Sequence, residues 1–263
     1  MVGGAGRMGT WVARQLKEYG ASITIRDRRE EAARKTAQRL EVVWMPMDAG
    51  YVGSDIVIVC VPINSLVQIC QEIGGKMKEG SMMIEISSVK SGISDVLSET
   101  LPKRISYVSL HPLFGPEITS LKGQNIVAVT TRSQECTDTV ASFLRSKGAE
   151  VTFLNAEDHD YAMAVFQVLH HYLMLSLTRA IGTLLPKHLM KRELVTNSLR
   201  STLELNAAIL RNLPTVIEIQ RTNPFSDEVR RRLISEAKTM LQEDPAVLKQ
   251  KLIEAEKKIS PLL

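Results

Sequence analysis

The stretch Val2-Gly3-Gly4-Ala5-Gly6-Arg7-Met8-Gly9, "VGGAGRMG", decides how the rest of the chain is read. Gly4, Gly6 and Gly9 fit the spacing G-x-G-x-x-G, and Arg7 to Tyr19 continues with the pattern of an amphipathic helix. Glycines at those places allow a tight turn, let the backbone approach a pyrophosphate, and bring a helix close against a strand. The helix N-terminus offers unpaired N–H groups and positive potential to phosphates. Such a motif needs a strand ahead of it. Only Met1 and Val2 precede the glycines, so the first strand is expected to be very short or to have lost residues before Met1. A following strand, "SITIR" (22–26), leads to Asp27, 23 residues after Gly4, where a carboxylate can bind the adenosine ribose hydroxyls. The expected cofactor-binding set is Gly4, Ala5, Gly6, Arg7, Met8, Gly9, Asp27 and Arg28. Asp27 favours NAD because its charge repels a 2′-phosphate, while Arg26, Arg28 and Arg29 beside it keep NADP open.

Outward from the glycines, short β-branched runs alternate with helical patterns up to about Leu154: "DIVIVCV", "MMIEIS", "YVSLH", "NIVAVT" and "EVTFL". Parallel strands need helical crossovers and are buried on both faces, so the alternation predicts an α/β fold, a Rossmann-type doubly wound, mostly parallel sheet. After Ala156 the strands stop. Apolar residues then recur at three- and four-residue spacing, which predicts an all-α domain. The expected division is 1–156 for nucleotide binding and 157–263 for a helical substrate and dimerisation domain. In the final helix Asp244 is the expected N-cap and Pro245 the first-turn residue.

Composition narrows the classes of function. The 263 residues are 44% hydrophobic and 24% charged, enough apolar material for a substantial core. The net charge of +4 comes from well-mixed charges and suits a small anionic ligand without demanding nucleic acid. Cys60, Cys70 and Cys136 form no CxxC pair or disulfide framework, which reads as core packing in a reducing, cytoplasmic setting. No leader, no long apolar run and no further domain after Leu263 is read, and no metal-ligand spacing is present.

Nicotinamide chemistry needs a group to take the proton that accompanies hydride loss, and histidine suits that task near neutral pH. Of the five histidines, His111 stands where "YVSL" reaches the C-terminal end of a strand, the edge at which open α/β sheets bind ligands. Two other strand ends point to the same edge. "EISSVKSG" contributes Ser87, Ser88 and Lys90, and "VCVPINSL" contributes Val61 and Pro62 beside the nicotinamide half of the cofactor.

"HPLFGPE", with "SSVK" upstream, "EDHDYAMAVFQVLHHY" downstream and the glycine loop at the start, resembles the prephenate dehydrogenase family of tyrosine biosynthesis, especially its archaeal and enteric-type branch. The resemblance covers nearly the whole chain in order. It implies a Rossmann domain followed by a helical domain that forms a homodimer, converting prephenate and NAD(P)+ to 4-hydroxyphenylpyruvate, CO2 and reduced cofactor. It assigns His111 as the catalytic histidine and Ser88 as its partner at the substrate hydroxyl. Gln167 and His171, four apart on one helical face, are assigned to the substrate, which Ser88 and Lys90 of the polar turn after "EIS" are also expected to meet. His159 and Asp160 match the family's "HD", as a helix cap or as functional groups. The family's arginine falls at Ala208, six residues before Pro214, so Arg200 or Arg211 is expected to meet a substrate carboxylate. That departure leaves arogenate or another cyclohexadienyl acid as an alternative substrate. A non-catalytic dinucleotide sensor is the alternative from another class.

Overall fold

The computed structural model describes residues 1–262. Two compact units emerge, Met1–Ala162 with Leu213–Asn223, and Met163–Asn212 with Pro224–Leu263. The border expected between residues 156 and 157 falls at the start of a helix in the first unit.

The first unit runs through α1 (Arg7–Glu18), β1 (Thr24–Ile25), α2 (Glu30–Leu40), β2 (Val43–Trp44), β3 (Ile56–Val59) and α3 (Ile63–Gly74). It continues with β4 (Met82–Glu85), α4 (Ser94–Thr100), β5 (Ser106–Pro112), β6 (Asn125–Val129), α5 (Gln134–Ser146), β7 (Glu150–Leu154) and α6 (Ala156–Met163). Strands β3 to β7 form one sheet in sequence order, and β1 pairs with β2. Val2 joins the two sets, bridging in parallel to Arg26 on one side and Val59 on the other. The strand expected ahead of the glycines is thus a single residue in a ladder.

Side-chain alternation explains the two faces. Val57, Val59, Met83 and Tyr107 pack with Leu66, Cys70 and Ile73 of α3 and Leu97 of α4. Ile84, Val108, Leu110, Ile126 and Ala128 pack instead with Trp11 of α1 and Ala141 of α5. A sheet buried on both faces therefore reads as continuous apolar runs. Two features lay outside the sequence reading: the two-residue strand β2, and the antiparallel run of β6 against β5.

The second unit is helical. A π-helical turn, Ala164–Val168, leads into α7 (Leu169–Leu184), followed by α8 (Asn197–Arg211). Between α8 and α10 (Ser226–Met240) lies α9 (Leu213–Thr222), which groups with the first unit, and α11 (Pro245–Ile259) is followed by a 3-10 turn, Ser260–Leu262. Asp244 caps α11 as expected, accepting from the N–H groups of Ala246 and Val247. Asn206 of α8 donates to the Met174 carbonyl of α7 at 2.8 Å.

One polar cluster sits inside the first unit's core. β4 ends on Glu85, which is fully buried and accepts from Lys90 Nζ at 2.7 Å, from the Ser87 N–H at 2.7 Å, and from the Ser109 hydroxyl. Lys90, expected to line the substrate site, is itself fully buried and gives its second bond to the Leu110 carbonyl at 2.7 Å. Burial draws its pKa down against the raising effect of Glu85. The ammonium ties the end of β4 to β5, and that corrects the expected role. Removing one partner of such a pair strands the other charge in the core, at a cost of about 3–5 kcal/mol. Lys90→Met is expected to lose stability on that scale in urea unfolding; a change under about 1 kcal/mol would show that the pair does not hold the strand ends together.

Candidate active site

The glycine loop is built by close approach. Gly3 takes φ +71°, and a Cβ there would lie 2.2 Å from the Cys60 carbonyl oxygen, so the turn excludes any side chain. A Cβ on Gly9 would lie 2.3 Å from the Gly3 carbonyl oxygen, which explains why the first turn of α1 can lie on the loop. Gly3 lies outside the G-x-G-x-x-G spacing, and its place in a Gly-Gly pair is the sequence signal for it. α1 begins with no side-chain cap and no acidic residue in its first turn, leaving its N–H groups and dipole open to an anion. An open depression lined by Ala5, Arg7, Thr10, Arg39, Pro116 and Glu117 lies against this loop, where Arg7 pairs with Glu117.

Asp27 stands beside that depression with its carboxylate buried. Its Oδ2 accepts from the Ala5 N–H at 3.2 Å, and Oδ1 accepts from the Arg29 N–H at 3.0 Å and Nε at 3.1 Å. Burial pushes the Asp27 pKa up, but the Arg29 guanidinium and these N–H groups outweigh it and hold the group below its ordinary value. The neighbouring arginines separate clearly. Arg26 is buried, donates to the carbonyls of Pro46, Ala49 and Gly50, and stacks 4.2 Å from the Tyr51 ring. Its guanidinium is committed to the Pro46–Gly50 turn. Arg29 is held by Asp27, and Arg28 is exposed. Val61 and Pro62 occupy the short link from β3 to α3, with Val61 Cγ1 3.2 Å from the Cβ position of Gly3. The unobstructed helix start, the side-chain-free turn and the buried acid at the next strand end fit a dinucleotide.

His111 lies near the C-terminal end of β5, opposite Val127 of β6. On the other side β4 has already ended, since its last ladder pair is Glu85 with Ser109. The imidazole is almost wholly buried, on the sheet face that carries Tyr107 and Ser109. Its Nδ1 is 2.9 Å from His159 Nε2, and His159 Nδ1 is 2.7 Å from Asp160 Oδ1. Asp160 also accepts from the N–H groups of Lys90 at 2.9 Å and Ser91 at 2.7 Å. Burial, then the neighbouring His159 and Lys90, push the His111 pKa well below the usual imidazole value. Burial raises the Asp160 pKa, but the His159, Ser91 and Lys90 hydrogen bonds overcome it and lower the group overall. Capping is done by another residue: Asn155 accepts from the Asp158 N–H at 2.7 Å at the start of α6. Asn223, just past α9, donates to the Asp160 carbonyl at 2.8 Å. Ser88, in the turn after β4, is half-buried and makes no side-chain hydrogen bond among the described residues.

The remaining expected residues belong to the second unit. Gln167 lies in the π turn and His171 one turn later, and Gln167 Oε1 and His171 Nδ1 are buried without a hydrogen-bond partner. Burial, aided by His170, lowers the His171 pKa to about 4. A π turn in a helix often marks a functional position. Arg200 is half-buried near the start of α8, and Arg211 is exposed at its end. Eleven residues of helix separate them by about 16 Å, so one fixed carboxylate cannot meet both. Among the described residues no group of three or more His, Cys, Asp or Glu is placed to hold a metal ion, and no helix is long and apolar enough to cross a membrane.

A probable arogenate/prephenate dehydrogenase of Methanocaldococcus jannaschii is 28% identical over 244 residues, covering 90% of this chain and 54% of that protein. A 4-amino-4-deoxyprephenate dehydrogenase of Streptomyces pristinaespiralis is 26% identical over 238 residues, covering 89% of this chain and 80% of that protein. The chain thus spans about half the length of the archaeal relative. The fold is shared with a crystal structure of prephenate dehydrogenase from Aquifex aeolicus in complex with hydroxyphenyl propionate and NAD+, at a TM-score of 0.74 and 18% identity, covering 98% of this chain and 94% of that one. A family model described as "Prephenate dehydrogenase, nucleotide-binding domain" matches residues 12–153. On that match, over more than half its length, the chain belongs to the prephenate dehydrogenase family through its nucleotide-binding domain.

Proposed function

We propose that the chain is an NAD-dependent dehydrogenase acting on prephenate, with His111 as the group that takes the proton of the ring hydroxyl. The observation that carries this reading is the burial of His111 at the open end of β5, beside the end of β4. The relatives named for prephenate and arogenate, and the Aquifex structure with NAD+, support the substrate class and cofactor. Asp27 supports NAD over NADP, because a buried carboxylate held ionised repels a 2′-phosphate.

A bound nicotinamide supplies the hydride acceptor. Gly3 to Gly9 and the start of α1 would hold its pyrophosphate, and Asp27 its ribose hydroxyls. The chain's own chemistry is proton handling. As the carbon bearing the hydroxyl becomes a carbonyl, the hydroxyl proton moves to His111, whose neutral form is favoured by burial. The ring carboxylate then leaves as CO2, its electron pair flows through the ring to the oxygen, and the proton returns there to give a phenol. Aromatisation drives that loss, so the residues serve mainly to align and to accept. Ser88, with an uncommitted hydroxyl, is suited to hydrogen-bond the same oxygen. Gln167 Oε1 and His171 Nδ1 are unsatisfied groups suited to a polar ligand. Arg200, the less exposed of the two arginines, is assigned a carboxylate of the substrate.

Arogenate is the second reading, favoured by the alanine at 208. We assign the uncovered apolar side chains of the second unit, including Phe166, Leu184, Leu205 and Leu241, to a homodimer contact. Light scattering after gel filtration should then give twice the 29.3 kDa chain mass.

The direct test adds prephenate or arogenate with NAD+ or NADP+ and follows absorbance of the reduced cofactor. Turnover with prephenate and NAD+ is expected; cofactor binding without turnover in any pairing would turn the reading toward a sensor. His111→Asn should cut kcat by about 10²–10⁴-fold while cofactor binding stays nearly intact, and unchanged kcat would remove His111 from the reaction. Since the base works unprotonated and its pKa is lowered, kcat/KM should not fall as pH drops through the ordinary histidine value near 6.5. An acidic limb centred at that value would contradict the buried, neutral imidazole. Arg200→Ala should raise KM for the acid more than it lowers kcat; the same result from Arg211→Ala alone would move the assignment to Arg211.

A further inference from the structure

We propose that His159 and Asp160 form a positioning pair that sets the tautomer of His111 and disperses the charge it gains, an inference that rests on the reading of His111 as the proton acceptor. The geometry carries it. The Asp160 carboxylate can only accept, so the His159 ring nitrogen 2.7 Å away, Nδ1, must carry a hydrogen. With that hydrogen on Nδ1, neutral His159 presents a lone pair at Nε2 toward His111 Nδ1, 2.9 Å away. His111 Nδ1 must then be the donor. Neutral His111 is left with its lone pair on Nε2, the nitrogen not bonded to His159, ready to accept a proton. Each hydrogen in the chain is placed by the acceptor next to it, beginning at Asp160.

The relay is rigid at every member. His111, His159 and Asp160 are all buried, with 2%, 0% and 0% exposure, so water cannot supply competing donors. Asp160 is fixed by the N–H groups of Lys90 and Ser91, and its carbonyl is held by Asn223. When His111 takes a proton at Nε2, its Nδ1 hydrogen can shift to His159 Nε2. The positive charge then rests beside the Asp160 carboxylate, and the return of the proton to the product oxygen reverses the shift. No proton is gained or lost over the cycle. Lys90, the other charged group close to His111, is paired with Glu85.

Imidazole nitrogen spectra of the protein carrying 15N-histidine test the assignment directly. The chain has five histidines, so loss of one signal set in His111→Asn identifies His111. Wild-type His111 should show a protonated Nδ1 and an unprotonated Nε2. His159→Leu removes the acceptor and should move His111 toward the Nε2-protonated form, with kcat lowered by about 10²–10³-fold. His159→Gln places a carbonyl oxygen near the lost nitrogen, and should restore the wild-type tautomer and bring kcat to within about tenfold of wild type. NAD+ affinity should be unchanged in both. A wild-type His111 protonated at Nε2, or a tautomer and kcat unaffected by His159→Leu, would overturn the proposal. The wild-type spectrum decides the tautomer even if His159→Leu does not fold. If His111→Asn keeps full turnover, it is the acceptor reading that fails; if it abolishes turnover while His159→Leu does not lower it, the pair alone is wrong.

Discussion

The Asp160 carboxylate is the interaction on which the first unit's arrangement turns. One oxygen takes the Lys90 N–H and the His159 ring, and the other takes the Ser91 N–H. These bonds join α6 to the turn that leaves β4, and through His159 they reach the end of β5. A buried carboxylate is costly without partners, and three donors are what make this one tolerable. The same turn places Lys90 under Glu85 and leaves Ser88 half-buried between two buried neighbours. Asn223 then binds the Asp160 carbonyl, which brings a residue 63 positions later in the chain onto the same point. The segment Leu213–Asn223 groups with the first unit although helices of the second precede and follow it.

Much of the frame was readable because its causes are local. Runs such as "DIVIVCV" and "MMIEIS" are apolar on both faces, and burial on both faces of a parallel sheet writes that pattern directly. Gly9 was readable because no side chain fits 2.3 Å from a carbonyl oxygen. Asp244 was readable because a cap and its helix are neighbours in sequence. The direction of β6 was not, since "NIVAVT" looks the same whichever way it runs, and only pairing with β5 decides it. β2 escaped notice because two residues carry no period.

The candidate site divides along the same line. His111 could be located from its strand end, and Asp27 from its distance to the glycines. Lys90 misled, because a lysine next to serines in a turn looks solvent-facing until Glu85, five residues earlier, is found to point inward with it. Arg26 is similar: nothing in "SITIRDRR" says that its guanidinium will gather three carbonyls of the 46–50 segment. His159 and Asp160 were visible as a dipeptide with two readings. Contacts spanning 48 and 70 positions tie them to His111 and Lys90, and separations of that size leave no trace in local sequence.

The antiparallel pairing of β5 and β6 has a consequence for how such a molecule can diversify. Because β6 returns beside β5, His111 is seated in a ladder opposite Val127, and the Leu113 N–H is bound to Asn125 just beyond it. The dozen residues between the two strands are therefore anchored at both ends by main-chain pairing. Substitutions, and even changes of length, in that excursion can be absorbed without displacing the imidazole from its place in the ladder. The seat of the ring and the course of the excursion are mechanically decoupled, so the excursion can drift while the ring keeps its place.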